Sequence, residues 1–420
     1  MPGFERRSLI KNAASMYALQ ALNILVPAFA FPYIVRMIGV DGFGTYTYAV
    51  SIVQLGVFLT EYGFGMTATR RIAVAKGVSS AAVSEEFSVT VVLKACLMLA
   101  AAVVLAAVVA AVPALRSQAW LYAALAPMLI GEVLFPVWLL QGLEQMQYLP
   151  FFSLISRGAS LVLLLLLVDG PEDIAIVGVT QSMPFVLNGV MALWVARSKL
   201  GVRFVPMQPA SAFRAALGEA SKAFVSRLAA QVYVRGSLPL LGSLASAEQV
   251  GIYSIVQRIG ALITAVVVQP LAQSLYPQLC RQWEEDPLLL ARARRNLMLL
   301  GLAGLTLALG LLNLLAEPVV TLITGEPSPE TVHLVHYYWP VIAFSALNSL
   351  LATVLMAMQK FADLSRAVVV GTFVFVLSAV PLVYAYEAMG MVLANMAVEV
   401  SVFCLFFYLT RVRRDSRAEA

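Results

Sequence analysis

A chain of 420 residues that is 61% hydrophobic and only 12% charged has more apolar surface than a soluble domain of this length can bury. Its net charge of +5 does not mark a nucleic-acid binder, because no basic patch is interleaved with aromatic residues in a polar segment. Cys96, Cys280 and Cys404 follow neither metal nor disulfide spacing, and His333 with His336 reads as an interfacial pair, so no metal or other cofactor is expected.

Apolar runs of about 20 residues recur along the whole chain, the length a helix needs to cross a bilayer. In chain order the expected spans are 9–35, 43–64, 87–112, 119–142, 149–168, 174–196, 216–241, 250–275, 297–324, 333–358, 365–386 and 388–410. Only helices satisfy their own backbone in lipid, and the short alternation of a β-barrel is absent. The expected fold is an all-α integral membrane protein of about 12 transmembrane helices. The N-terminal sequence imitates a signal peptide, with Arg6, Arg7 and Lys11 ahead of an apolar run and Ala28-Phe29-Ala30. That run is too long, and the pattern beyond it returns later, so an uncleaved first helix is expected.

Basic residues set the orientation. Twenty of the 28 fall at Arg6–Lys11, Arg70–Lys76, Arg197–Arg214, Arg281–Arg295, Lys360–Arg366 and Arg411–Arg417, all on one side of that topology. The other side holds Arg36 and Arg116. The bias places both termini in the cytoplasm and requires an even number of spans.

The halves resemble each other. Pro32, Asp41, Gly44, Tyr46 and Ile52 match Pro239, Glu248, Gly251, Tyr253 and Ile259 at an offset of 207 residues. Both copies keep the same orientation, which predicts two pseudo-symmetric six-helix lobes, residues 1–205 and 206–420. The segment Arg197–Arg214, with Pro206 and Pro209, is the expected linker.

Charges at bilayer depth are costly and face a cavity or a partner. Lys94, Arg157, Lys222, Arg227, Arg235 and Arg258 lie at that depth, with Glu61, Glu132, Glu219 and Glu399. Lys94 and Lys222 are within reach of the interface, where such side chains snorkel, so Lys94→Arg is expected to be silent. Glu219, Arg227, Gln231 and Arg235 form one drifting stripe on helix seven. Helix eight adds Gln257, Arg258, Gln269 and Gln273; helix five Ser153, Arg157 and Ser160; helix one Gln20 and Asn23; helix two Thr47, Ser51, Gln54 and Glu61. Together they describe a water-accessible, net-positive interior. Arginine grips phosphate with a planar fork of donors, and Gln and Asn serve sugar hydroxyls. The expected cargo is an anion.

The first seventy residues also carry motifs: Lys11-Asn12, Tyr17 to Gln20, Asn23 with Pro27, Pro32-Tyr33-x-x-Arg36, Gly39, Gly42-Phe43-Gly44, Glu61-Tyr62-Gly63-Phe64 and Ala68-Thr69-Arg70-Arg71. In combination they resemble the O-antigen and polysaccharide-repeat flippases (Wzx type) of the multidrug/oligosaccharidyl-lipid/polysaccharide exporter superfamily. Glu61 stands where that family more often has aspartate, which preserves a carboxylate.

The resemblance implies two lobes around a V-shaped cavity. It implies a cargo of undecaprenyl-diphosphate-linked oligosaccharide, flipped to the periplasmic leaflet of the bacterial inner membrane while the lipid tail stays in the bilayer. Arg227, Arg258 and Arg157 would hold the diphosphate, with Arg235, Lys222, Gln20, Asn23, Gln54, Gln231 and Gln257 lining the path. Glu61, Arg36, Asp41 and Arg70 would serve gates or ion coupling. Other implied partners are membrane lipid, a proton or sodium ion and polysaccharide polymerase machinery; a monomer already encloses the cavity.

Rival readings differ in chemistry. A multidrug antiporter of the superfamily would carry cations through an acidic or aromatic cavity. A peptidoglycan-precursor flippase shares a cationic cavity but by resemblance has fourteen spans. A membrane enzyme on the same lipid would need a large outer loop with paired carboxylates, and the longest outer loop here is about ten residues. The chain contains no Gly-rich phosphate loop, so the expected energy source is an ion gradient or the cargo gradient.

Overall fold

The computed structural model describes residues 2–206, 208–285 and 287–410, with side chains from Ile24 onward except at 226, 227, 229, 230, 233, 234, 287, 288, 291, 293, 300, 303, 305, 307–309, 311 and 312. Every regular element among them is helical: α1 (Pro2–Glu61), α2 (Phe64–Lys76), α3 (Ser80–Ala111), α4 (Pro113–Arg116), α5 (Ala119–Leu125), α6 (Pro127–Leu134), α7 (Val137–Gly142), α8 (Leu149–Leu167), α9 (Ile174–Ser198), α10 (Ala210–Leu244), α11 (Ala247–Ile263), α12 (Gln269–Glu285), α13 (Pro287–Leu314), α14 (Ala316–Thr324), α15 (Pro329–Ala357) and α16 (Phe361–Leu409), with two short 3₁₀ turns and a π-helical turn, Thr264–Val268, joining α11 to α12. Among the described residues eight runs are long and apolar enough to cross a membrane: Ile24–Lys76, Ser80–Ala111, Ala119–Gly142, Met146–Leu167, Pro171–Ser198, Ala247–Glu285, Pro329–Ala357 and Phe361–Leu409. The protein is a multi-pass membrane protein.

The expected helices one and two form a single run interrupted at Gly39 (φ 72°, ψ 171°). Glycine tolerates that geometry, and Pro27 and Pro32 loosen the helix ahead of it. The expected last two helices form α16, interrupted at Glu387 (φ 49°, ψ −123°), the residue the apolar runs leave between them. The expected span 119–142 is three pieces, because Pro127 and Pro136 each remove a helical hydrogen bond. Helix eight runs ten residues beyond its expected end, from Ala247 to Glu285, because its second half is amphipathic rather than apolar.

The chain divides into two compact units between Leu228 and Ala229, inside α10. In the first unit Phe64, Ile72, Phe87, Trp138, Leu139 and Ala220 form a core shared by α2, α3, α7 and the start of α10. α6 packs on α9 through glycine: a Cβ on Gly131 would lie 2.4 Å from Phe185, and one on Gly189 2.5 Å from Leu134. Small residues let membrane helices approach this closely. In the second unit the core joins Leu279, Leu290 and Val354 to a second cluster at Leu351, Leu355 and Phe406.

The offset seen in sequence has a backbone counterpart. α11 begins after a break at Ser246, whose side chain accepts the Gln249 N–H at 3.3 Å. Ser246 lies 207 residues beyond Gly39, and Pro32 and Pro239 each sit in the helix leading to its break.

Candidate functional site

The Glu61-Tyr62-Gly63-Phe64 motif is the turn between α1 and α2. Glu61 caps α2: Oε2 accepts the Gly63 N–H and Oε1 the Gly65 N–H, each at 3.1 Å. A carboxylate at a helix N-terminus meets unpaired N–H groups and the positive dipole end. Tyr62 (φ 44°) and Gly63 (φ 84°) make the turn. The motif then docks on α10. Tyr62 stacks on Phe224 at 4.4 Å, Phe58 stacks on the same ring at 5.2 Å, and Ser221 donates to the Tyr62 hydroxyl at 3.4 Å. A Cβ on Gly63 would lie 3.0 Å from the Ala220 carbonyl oxygen. Arg70 extends the seam with an ion pair to Glu219 at 2.9 Å. Gly63→Ala therefore combines a left-handed backbone with a backbone clash; we expect it to destabilise the first unit by about 2 kcal/mol, seen as a lower unfolding midpoint in detergent.

Deeper in this unit, Lys94 does not snorkel. It is 2% exposed and donates to the Glu132 carboxylate at 2.8 Å and to the Glu132 carbonyl at 2.7 Å. Several hydroxyls of the expected helices two and five are bonded within the protein. Thr47 and Ser51 return their hydroxyls to the Phe43 and Tyr48 carbonyls of their own helix. On α8, Ser160 donates to the Thr180 carbonyl at 2.6 Å and Ser156 to Asn188 at 2.7 Å, knitting α8 to α9. Arg157 lies half-buried on this helix, its Nε enclosed and without a hydrogen-bond partner among the described residues.

The second unit contains a polar chamber of about 360 Å³, lined by Ser237 of α10, Gln257 and Gly260 of α11, Thr264, Gln269 of α12, Tyr338 and Ser345 of α15, and Asn395 and Glu399 of α16. Two hydrogen-bonded groups hold its wall. Asn395 donates to the buried Tyr253 hydroxyl at 2.6 Å, Gln257 approaches the same oxygen at 3.5 Å, and Ser237 donates to Asn395 at 3.4 Å. Asn348 fixes Glu399, donating to its carboxylate at 2.7 Å and its carbonyl at 2.9 Å. Gly260 lets α11 and α15 approach closely beside the chamber, since a Cβ there would meet the Tyr338 ring at 2.9 Å.

Of the residues expected to line a site, Gln257 faces this chamber, with Arg258 next to it in sequence. Arg235 is half-buried and donates to Gln231 one turn away. Gln54 is half-buried, while Lys222, Arg36, Asp41 and Arg70 are exposed. The side chains of Arg227, Gln20 and Asn23 lie outside the described residues. Sequence reasoning passed over Asn395, Asn348 and Ser237. The available signal was an amide in an otherwise apolar helix, which needs a partner at that depth.

Membrane-length helices, the buried Lys94 paired with Glu132 and an open chamber lined by amides and hydroxyls suit a membrane transporter, and comparison with known proteins agrees. Among solved structures the chain is similar to a lipid II flippase, MurJ, in an inward closed conformation (TM-score 0.74, 11% identity, covering 96% of this chain and 88% of that one). It is similar also to an inward-facing multidrug resistance MATE family transporter of the MOP superfamily (TM-score 0.72, 14% identity, 93% and 94% covered). These likenesses show the fold. The family model described as polysaccharide biosynthesis protein matches residues 9–283, and that described as Rft protein matches residues 172–407. Two curated relatives named "Putative O-antigen transporter" match nearly end to end: one from Escherichia coli (strain K12) at 26% identity over 96% of this chain and 97% of its own, the other from Shigella dysenteriae at 25% over 96% and 100%. The chain belongs to the polysaccharide biosynthesis protein family, as a member of its O-antigen/polysaccharide flippase group.

Proposed function

We propose that the protein flips an undecaprenyl-diphosphate-linked oligosaccharide, an O-antigen or exopolysaccharide repeat unit, from the cytoplasmic to the periplasmic leaflet of the bacterial inner membrane. The observation that carries this reading is the chamber of the second unit, walled by amides and hydroxyls and adjoining the helix that bears Arg258. Amides and hydroxyls exchange hydrogen bonds with sugar hydroxyls, and arginine serves the diphosphate. The names of the curated relatives supply the class of cargo.

In this proposal the chain crosses the membrane twelve times. Breaks at Gly39 and Glu387 divide two of the eight long runs, and α10 and α13 add two more crossings. Two six-helix lobes then alternate access, both termini remain cytoplasmic, and a monomer suffices. Arg157, Arg227, Arg235, Arg258 and Lys222, with Gln20, Asn23, Gln54, Gln231 and Gln257, belong to the cargo path; Glu61, Arg70, Arg36 and Asp41 belong to the gates. Glu399, which lines the chamber, is placed to take a coupling proton or sodium ion.

Binding tests the chamber's part in this. Asn395→Leu removes a donor to Tyr253 and a wall of the chamber. Purified Asn395→Leu protein should bind the lipid-linked oligosaccharide about tenfold more weakly, while its affinity for undecaprenyl diphosphate without sugar stays unchanged. Equal weakening for both ligands would place the sugar elsewhere.

A further inference from the structure

A second cavity, of about 270 Å³, opens between α12 and α13 at the ends that carry Arg281, Arg292, Arg294 and Arg295, the basic side of the expected topology. One wall is a single face of α12: Leu275, Gln278, Leu279 and Gln282, at i, i+3, i+4 and i+7. The other is one face of α13: Leu289, Arg292, Asn296 and Leu297.

Three features define what would fill it. Among the described residues the charged group in the lining is Arg292, with no carboxylate beside it there. Its neighbour Arg294 is already committed, donating to Thr410 at 3.2 Å and lying 5.3 Å over the Phe407 ring. The carbonyl oxygen of Gln282 is enclosed and has no hydrogen-bond partner among the described residues. The Gln282 amide belongs to the cavity lining, so it can serve a group bound there. Four leucines supply apolar contact alongside the polar groups. The volume is several times the roughly 30 Å³ share of one water molecule, so the space suits a head group better than a lone ion.

We infer that this cavity binds the head group of an anionic glycerophospholipid bearing free hydroxyls. Its phosphate meets Arg292. The Gln278, Gln282 and Asn296 amides share the head-group hydroxyls, and the leucines take the glyceryl backbone and the start of the acyl chains. Phosphatidylglycerol has this chemistry. Phosphatidylethanolamine does not, because its ammonium would face Arg292 with no carboxylate in the lining to receive it. This inference is independent of the transported cargo.

The test is native mass spectrometry of the purified, delipidated full chain with phosphatidylglycerol, phosphatidylethanolamine or inorganic phosphate added. Phosphatidylglycerol should bind in preference to phosphatidylethanolamine, and phosphate at the same concentration should not displace it. Arg292→Ala should weaken phosphatidylglycerol about tenfold, and so should Gln282→Leu, which removes the amide without altering charge. Arg366→Ala, removing an exposed arginine on the same side and outside the cavity, should bind as the unsubstituted protein does. If Arg292→Ala is lost in preparation, Gln282→Leu gives the same reading. Equal binding of the two lipids, or unchanged binding in Gln282→Leu, would overturn the assignment. Full displacement by phosphate would also overturn it, leaving a site for a soluble anion.

Discussion

Lys94→Ala is expected to destabilise the first unit by about 3–5 kcal/mol, because it leaves the Glu132 carboxylate without its counter-charge in a bundle of membrane-spanning helices. Lys94 is 2% exposed, so water cannot replace the lost ammonium. The measurement is thermal unfolding in detergent, with a fall of about 10 °C in the midpoint. Lys94→Met with Glu132→Leu should recover most of the loss, since replacing both members of a buried pair by apolar groups is often neutral. A single variant as stable as the unsubstituted protein would mean the pair contributes nothing. The pairing also changes the expectation for Lys94→Arg. A guanidinium does not fit where the ammonium is held between a carboxylate and a carbonyl, so this substitution should cost stability rather than pass unnoticed.

The second large effect concerns transport. Arg258→Ala should lower the rate of leaflet transfer by about 30-fold or more, with insertion and unfolding midpoint unchanged. Truncating one partner of a buried charged contact typically costs at least ~2 kcal/mol. Arg157→Ala and Arg227→Ala should behave alike, whereas Arg366→Ala, on an exposed helix turn paired with Asp363, should transport normally. If both Arg227→Ala and Arg258→Ala kept full activity, the anion-binding role of this interior would be wrong.

The places of the long apolar helices and of two of their breaks were legible because lipid makes hydropathy a direct record of position. The boundary at Glu387 and the glycine break at Gly39 stand where the apolar runs and the Pro32-to-Gly44 motif place them. The expectation failed where a polar residue serves a neighbour far away in sequence. Ser160 looked like a cavity residue on α8, yet its hydroxyl donates to the Thr180 carbonyl of α9. Lys94 lies near an expected interface, and only its meeting with Glu132, 38 residues on, shows it to be a buried counter-ion. The chamber draws on α10, α11, α15 and α16, with Ser237 bonded to Asn395 158 residues away, a convergence no local spacing encodes. Glu61 was legible as a conspicuous carboxylate but not as a cap, because its partners are backbone N–H groups of Gly63 and Gly65.

The most direct test of the central claim is leaflet-resolved transfer of a diphosphate-prenyl oligosaccharide in proteoliposomes, with and without this protein. The account predicts protein-dependent transfer that is lost in Arg258→Ala. Absence of transfer, alongside uptake of a small organic cation, would contradict it, place the protein among the drug extruders and leave its intramembrane arginines with a structural role.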